Sequence, residues 1–211
     1  MRHISGFFSI VLICLFASPL SGQNFGGGFK GGMVASEVSG DHLAGPNKLG
    51  FYASAFSFLP VGPYAHLQGE VMYIQKGSRS VPNKHNDYYD YRFALQYVEM
   101  PILYVQNMAR FTNNNYLSRL LLHGGLSVSI LTRHKETEDG YVLLSEPNTY
   151  KPAELNLLLG FSFPIRDALY FQVGYSNSIT PIRPHASGET AWNNYGQYNT
   201  LWTLGLSYIV W

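Results

Sequence analysis

Eight segments of this chain alternate apolar and polar residues with a period of two, and their connections alternate short and long without exception. The segments fall at 27–37, 49–59, 64–76, 94–106, 119–131, 153–163, 169–180 and 198–211. Such periodicity marks a strand whose two faces meet different surroundings. Most segments run 11 to 14 residues, against about five or six for an ordinary soluble strand. The connections 60–63, 107–118 and 164–168 are short or moderate, while 38–48, 77–93, 132–152 and 181–197 are longer and polar. A sandwich has no reason to sort its loops this way. An up-and-down barrel with two differently exposed ends does.

The face chemistry chooses between a soluble barrel and a membrane barrel. In 119–131, Leu120, Leu122, Leu126, Val128 and Ile130 oppose Arg119, His123, Gly125, Ser127 and Ser129. In 198–211, Trp202, Leu204, Leu206, Tyr208 and Val210 oppose Thr203, Gly205 and Ser207. A soluble, lipocalin-like barrel would turn its large apolar face inward and carry charge outside. Here the polar faces are small and nearly uncharged, which suits a crowded lumen, and the apolar faces suit lipid. Composition agrees: charged residues are 13% and aromatics 15%, against about 25% charged in soluble domains. Tyr52, Tyr64, Tyr73, Tyr104, Tyr170 and Trp202 sit near strand ends, as aromatic girdles require. The fold expected is all-β, an eight-stranded antiparallel up-and-down transmembrane β-barrel. Fourteen basic against 13 acidic residues exclude a nucleic-acid binder working by a basic face.

The N-terminus reads as an export signal. Arg2 and His3 precede the apolar stretch Ile4 to Leu20, and small residues follow at Ser21 and Gly22. The expectation is a signal peptide over 1–22 and a barrel domain over 23–211. A membrane anchor is the alternative, at the lower length limit for spanning and broken by Pro19. Cys14 is the only cysteine, in mid-stretch after Ile13, which does not suit lipid attachment. Cleavage near Gly22 leaves a chain without disulfides, so its stability must come from burial or from a membrane.

Three stretches carry a family resemblance: Gly31-Gly32-Met33-Val34-Ala35-Ser36; Leu67 to Gly77, ending Gln75-Lys76-Gly77; and Tyr97-Val98-Glu99-Met100-Pro101-Ile102-Leu103. With the end strand Leu204-Gly205-Leu206-Ser207-Tyr208, their order and spacing resemble the outer-membrane β-barrel domain family widespread in Bacteroidetes, which includes PorT-like proteins. The resemblance implies an eight-stranded barrel in the outer membrane. Some PorT-like members are tied to type IX secretion, and no residue here singles out that role. Outer-membrane barrels also typically end on a strand read by the barrel assembly machinery. Thr203, Gly205, Tyr208 and Val210 fit its spacing, offset because Trp211 lies one residue beyond.

The candidate sites fall into three groups. Parity turns Lys30, Glu70, Glu99, Arg119 and His123 inward, and folding the third and fourth strands about residue 85 sets Glu70 beside Glu99. Two carboxylates that close need a cation, so an interior polar network that plugs the lumen is expected. Tyr88, Tyr89, Tyr91 and Trp192 in the long loops suit protein contacts. His42, His85, His134 and His185, one in each long loop and accompanied by acids, are the candidates for a metal. No ligand-pair spacing such as H-x-x-x-H is present, so no metal and no cofactor are expected.

Other motifs have plain readings. Gly26, Gly28 and Gly31 match G-x-G-x-x-G formally, but lack the strand before and helix after that a dinucleotide site needs. Pro101 in mid-strand implies a bulge or an unpaired ladder position. His123 and Ser127 share a face but lie about 13 Å apart along a strand, so they form no nucleophile–base pair. Eight strands leave a lumen that side chains can fill. The expected role is structural, adhesive or interactive through the loops, with a secretion component, a narrow pore and a lipid-modifying enzyme as alternatives. The partners expected are outer-membrane lipid, the assembly machinery during insertion, and an unidentified extracellular or outer-membrane protein, with no nucleic acid.

Overall fold

Nine strands form one sheet that closes on itself. The computed structural model describes residues 25–41, 43, 45–143, 149–184 and 196–211. The expected signal peptide, His42, His185 and Trp192 lie outside these residues. The strands are β1 (Gly26–Ser39), β2 (Lys48–Gly62), β3 (Ala65–Ser80), β4 (Tyr91–Asn107), β5 (Leu121–Glu138), β6 (Tyr141–Val142), β7 (Ala153–Pro164), β8 (Leu169–Ser178) and β9 (Tyr198–Ile209). The sheet order is β4-β3-β2-β1-β9-β8-β7-β5-β6, and a β4–β5 pairing closes the ring. The two-residue β6 only folds back on the end of β5, so the barrel wall has eight strands, all antiparallel.

The apolar parity positions form the outer wall: Phe29, Met33, Val71, Ile102, Leu126, Leu159 and Leu204 are all exposed. The lumen is filled unevenly around its circumference. From β2, β3 and β4 come large side chains, among them Tyr52, Phe56, Ile74, Leu95 and Tyr97. From β5 and β7 to β9 come Ser127, Asn156, Ser162, Ser176 and Ser207. One wall reaches across and the other makes room. At Gly205 an added Cβ would lie 2.4 Å from the Gly31 carbonyl oxygen and 2.5 Å from the Tyr52 hydroxyl. Only glycine fits there.

Three expectations about individual residues need correction. Tyr52 belongs to the buried core rather than to a girdle, because its parity on β2 is that of Ser54 and Phe56. Tyr170 pairs with Ser207 and lines the cavity at the short-loop end, so it too points inward. Arg119 sits in the short 3-10 turn Leu117–Arg119 ahead of β5. There it is exposed, with its guanidinium over the Phe163 ring. The strand starts at Leu121, so strand parity does not reach Arg119.

Pro101 interrupts the ladder without bending it. Gly69 pairs with Ile102 and Met72 with Glu99, with no pairing between, as a residue lacking an N–H dictates. The β-bulge of this wall lies elsewhere, between Gln96 and Tyr97, where β4 and β5 change register.

Candidate functional site

Five charged residues of the lumen form two separate layers, and Lys48, also buried, belongs to neither. In the upper layer the Lys76 Nζ stands 2.7 Å from Glu99 Oε2 and 2.7 Å from Glu154 Oε1, all three side chains at most 1% exposed. Register explains the first contact: Lys76 pairs with Leu95 and Met72 with Glu99, so the lysine and Glu99 rise on the inner face of adjacent strands. The Lys76 ammonium also lies 5.1 Å above the Tyr97 ring. One cation cannot satisfy two carboxylates, and hydrogen bonds supply the rest. Ser127 and Ser129 donate to Glu99 at 2.6 and 2.9 Å, and Asn199 donates to Glu154 at 2.7 Å. Asn156 donates to both serines, fixing their rotamers. Buried charges are tolerated where opposite charge and hydrogen-bond donors surround them in this way.

Gly77, next to the lysine, has φ of 130°, and an added Cβ would lie 2.0 Å from the Phe93 carbonyl oxygen. The Gln75-Lys76-Gly77 and Tyr97-Val98-Glu99 motifs thus have a physical reading: they meet on neighbouring strands and build this layer.

The lower layer is neutral. Lys30 lies 2.5 Å from Glu70, whose carboxylate also accepts from Gln68 at 2.7 Å and Ser54 at 3.2 Å. Glu70 and Glu99 both border a cavity of about 60 Å³, yet each has its own lysine. They do not form the adjacent pair expected, because Glu99 stands opposite Met72 rather than Glu70. His123 lies between this layer and a cavity of about 230 Å³ at the short-loop mouth, and among the described residues its Nε2 has no hydrogen-bond partner. Ser127 is committed to Glu99, so no Ser–His couple forms.

A third cluster closes the long-loop mouth. The segment after β8 dips into the barrel, burying Ile182 in the core, and sets Arg183 3.0 Å from Glu136. Tyr150 donates to the same carboxylate at 2.6 Å, Tyr91 donates to it as well, and Arg183 stacks 4.5 Å over Phe93. Burial alone would raise the Glu136 pKa, but the hydrogen bonds from Arg183, Tyr150 and Tyr91 outweigh it and hold the carboxyl below its ordinary value. Tyr91 is therefore spent on the cap rather than offered to a partner. Tyr89 stacks on it, rings 6.1 Å apart, and Tyr88 is exposed at φ of 61°. His134 packs on Tyr150, ring centroids 4.5 Å apart, and His85 is exposed in the loop between β3 and β4. Among the described residues, no three His, Cys, Asp or Glu side chains converge to hold a metal ion.

On β9, Tyr208 is exposed, as is Val210 just beyond the strand, while Thr203 and Gly205 share the inward parity of Ser207. Lys76, Glu154 and Arg183 were not legible as site residues. The first stood at a strand end, the second opened a strand, and the third lay in a loop.

A closed eight-stranded wall, apolar outside and charge-paired inside, defines an outer-membrane-type barrel. The sequence matches the family model described as "Outer membrane protein beta-barrel domain" over residues 18–183. The chain belongs to that family, and its place is the outer membrane. No curated protein matches it. Among solved structures it is similar to Neisserial surface protein A, at 14% identity over 87% of this chain and 96% of that one, TM-score 0.53. Ail, the attachment invasion locus protein of Yersinia pestis, is 15% identical over 88% and 98%, TM-score 0.48. CarO of Acinetobacter baumannii is 7% identical over 85% and 97%, TM-score 0.46. At these identities the likeness is one of fold.

Proposed function

We propose that this chain is a non-enzymatic outer-membrane barrel with a filled interior, exported by a cleaved signal peptide over residues 1–22, that acts through its long extracellular loops. The observation that carries this reading is the fully buried, ion-paired Lys76 layer across the lumen. A packed, ion-paired layer opposes solute diffusion, and a serine committed to a carboxylate opposes hydrolase chemistry. Specificity then belongs to the loops. The loop between β3 and β4 is the best-defined of them. Asn86 donates to Ser80, Val81 and Tyr89, and Asn83 accepts from His85. These bonds hold Asp87 and Tyr88 at positive φ, a conformation that costs of order 1–3 kcal/mol and clusters at functional positions. The motif resemblance supports placing the chain among PorT-like proteins of the Bacteroidetes type.

The test is photocrosslinking from a reactive group placed at Tyr88 on intact cells, followed by identification of the captured neighbour. A single recurrent partner that is lost from an otherwise folded Asn86→Ala variant is the expected result. Capture of nothing but lipid from every long loop would contradict the interaction role.

A further inference from the structure

The β3–β4–β5 wall continues above the lipid-facing surface, and its charges are sorted by face. Reading upward on the outer side, the last apolar row is Tyr73–Val98–Ile130. The next rows are Gln75–Gln96–Arg133, then Gly77–Ala94–Lys135, then Arg79–Arg92–Thr137. Four cations therefore stand within three rows of the apolar edge. Two residues of strand advance about 6.6 Å, which a strand tilt of about 40° makes about 5 Å above the belt, and Lys and Arg stems extend along such a boundary.

A bulge produces this arrangement. Tyr97 pairs with Leu131 and Gln96 with Arg133, leaving Thr132 as the extra residue of β5. Below it the inward residues are Ser127, Ser129 and Leu131. Above it parity flips, so Glu136 turns inward to Arg183 and Arg133 and Lys135 turn outward. Bulges re-aim side chains in this way and are built features rather than defects. The outcome is unfavourable for the isolated chain. Arg79 and Arg92 are direct cross-strand neighbours, and like charges so placed repel. Among the described residues, Arg79 is the one of these four with an acid within 4.0 Å, Asp90. A groove of about 320 Å³ runs over the small Ala94, between Arg92, Gln96, Arg133 and Lys135.

We infer that this groove binds the phosphorylated saccharide headgroup of an outer-leaflet glycolipid, its acyl chains lying on the apolar rows beneath. Height above the belt, unneutralised charge and an open polar groove coincide there, and phosphate is the group that arginine forks hold best. The inference is independent of the role of the loops.

The test uses the folded full-length barrel in detergent micelles, titrated with bis-phosphorylated lipid A and read by native mass spectrometry. A basic residue near an anionic surface contributes about fivefold in affinity. Arg92→Gln should thus weaken lipid A binding about fivefold and the Arg133→Gln/Lys135→Gln pair about 25-fold, while Lys84→Gln in the neighbouring loop leaves it unchanged. Retained heat-shifted gel mobility verifies that each variant is folded. Equal binding of dephosphorylated lipid A, or unchanged affinity in the double variant, would overturn the proposal. Displacement of lipid A by equimolar inorganic phosphate would make this a free-phosphate site instead. Equal affinity for phosphatidylglycerol would reduce it to a general anionic surface.

Discussion

Lys76 and Glu99 come from neighbouring strands and meet 2.7 Å apart in the middle of a barrel, with neither side chain more than 1% exposed. Such a pair does not by itself raise stability over a hydrophobic pair, but losing one partner leaves a stranded charge. Lys76→Met strands two, Glu99 and Glu154. It should destabilise the folded barrel by about 3–5 kcal/mol in urea titrations of vesicle-embedded protein. Adding Glu99→Gln and Glu154→Gln to the same chain should return much of that loss. Equal stability of the single and triple variants would refute the pairing.

The wall of small residues makes a second prediction. At Gly205 both a backbone oxygen and the Tyr52 hydroxyl occupy the space of a Cβ. Gly205→Ala should cost about 1–3 kcal/mol as overpacking. Because the Gly31 carbonyl oxygen is itself 2.4 Å away, adding Tyr52→Phe should not rescue it. Full rescue would show that the hydroxyl alone sets the limit.

Much of this architecture was legible in the sequence because a two-residue period assigns faces wherever a strand is continuous. Lys30, Glu70, Glu99 and His123 lie inside for that reason. Pairing was less legible. Centring the β3–β4 hairpin on residue 85 sets Glu70 beside Glu99, but the actual register sets Met72 there. Two residues of slip amount to about 7 Å, enough to give each carboxylate a different lysine. Arg119 failed because the strand begins two residues later. The Lys76–Glu154 contact joins residues 78 apart, and it follows from barrel closure, not from any local pattern. Beyond the bulge at Thr132 parity inverts, which is why Glu136 and Lys135 could not be placed by counting.

The cap at the long-loop mouth should respond to acid. Glu136 has its carboxyl held below the ordinary value of 4.5, so the cap's contribution is present above that value and is lost as pH falls through the depressed one. Protection from hydrogen exchange at the Lys151–Ile182 and Ile182–Gln197 backbone bonds, measured against the intrinsic rate at each pH, should hold from neutral pH down to about pH 5 and fall only in stronger acid. Arg183→Gln should remove the protection at neutral pH. A protection factor that does not change with acid in the parent protein would contradict this role.

Topology can be read on whole cells. Asn86 is occupied by three donated hydrogen bonds, so the exposed His85 beside it is the better labelling position. A cysteine at His85 should react with an impermeant maleimide, and one at Asn115, in the connection between β4 and β5, should not. The reverse pattern would invert the barrel.

The central claim is that the lumen is filled and closed at the Lys76 layer, and single-channel recording in planar bilayers addresses it most directly. The folded protein should give no steady current at physiological salt across ±100 mV. The same should hold for Glu99→Ala, which loosens the layer and lowers stability while Tyr97, Leu95 and Ile74 still fill the section. Stable, voltage-independent conductance steps from the unmodified barrel would contradict the account.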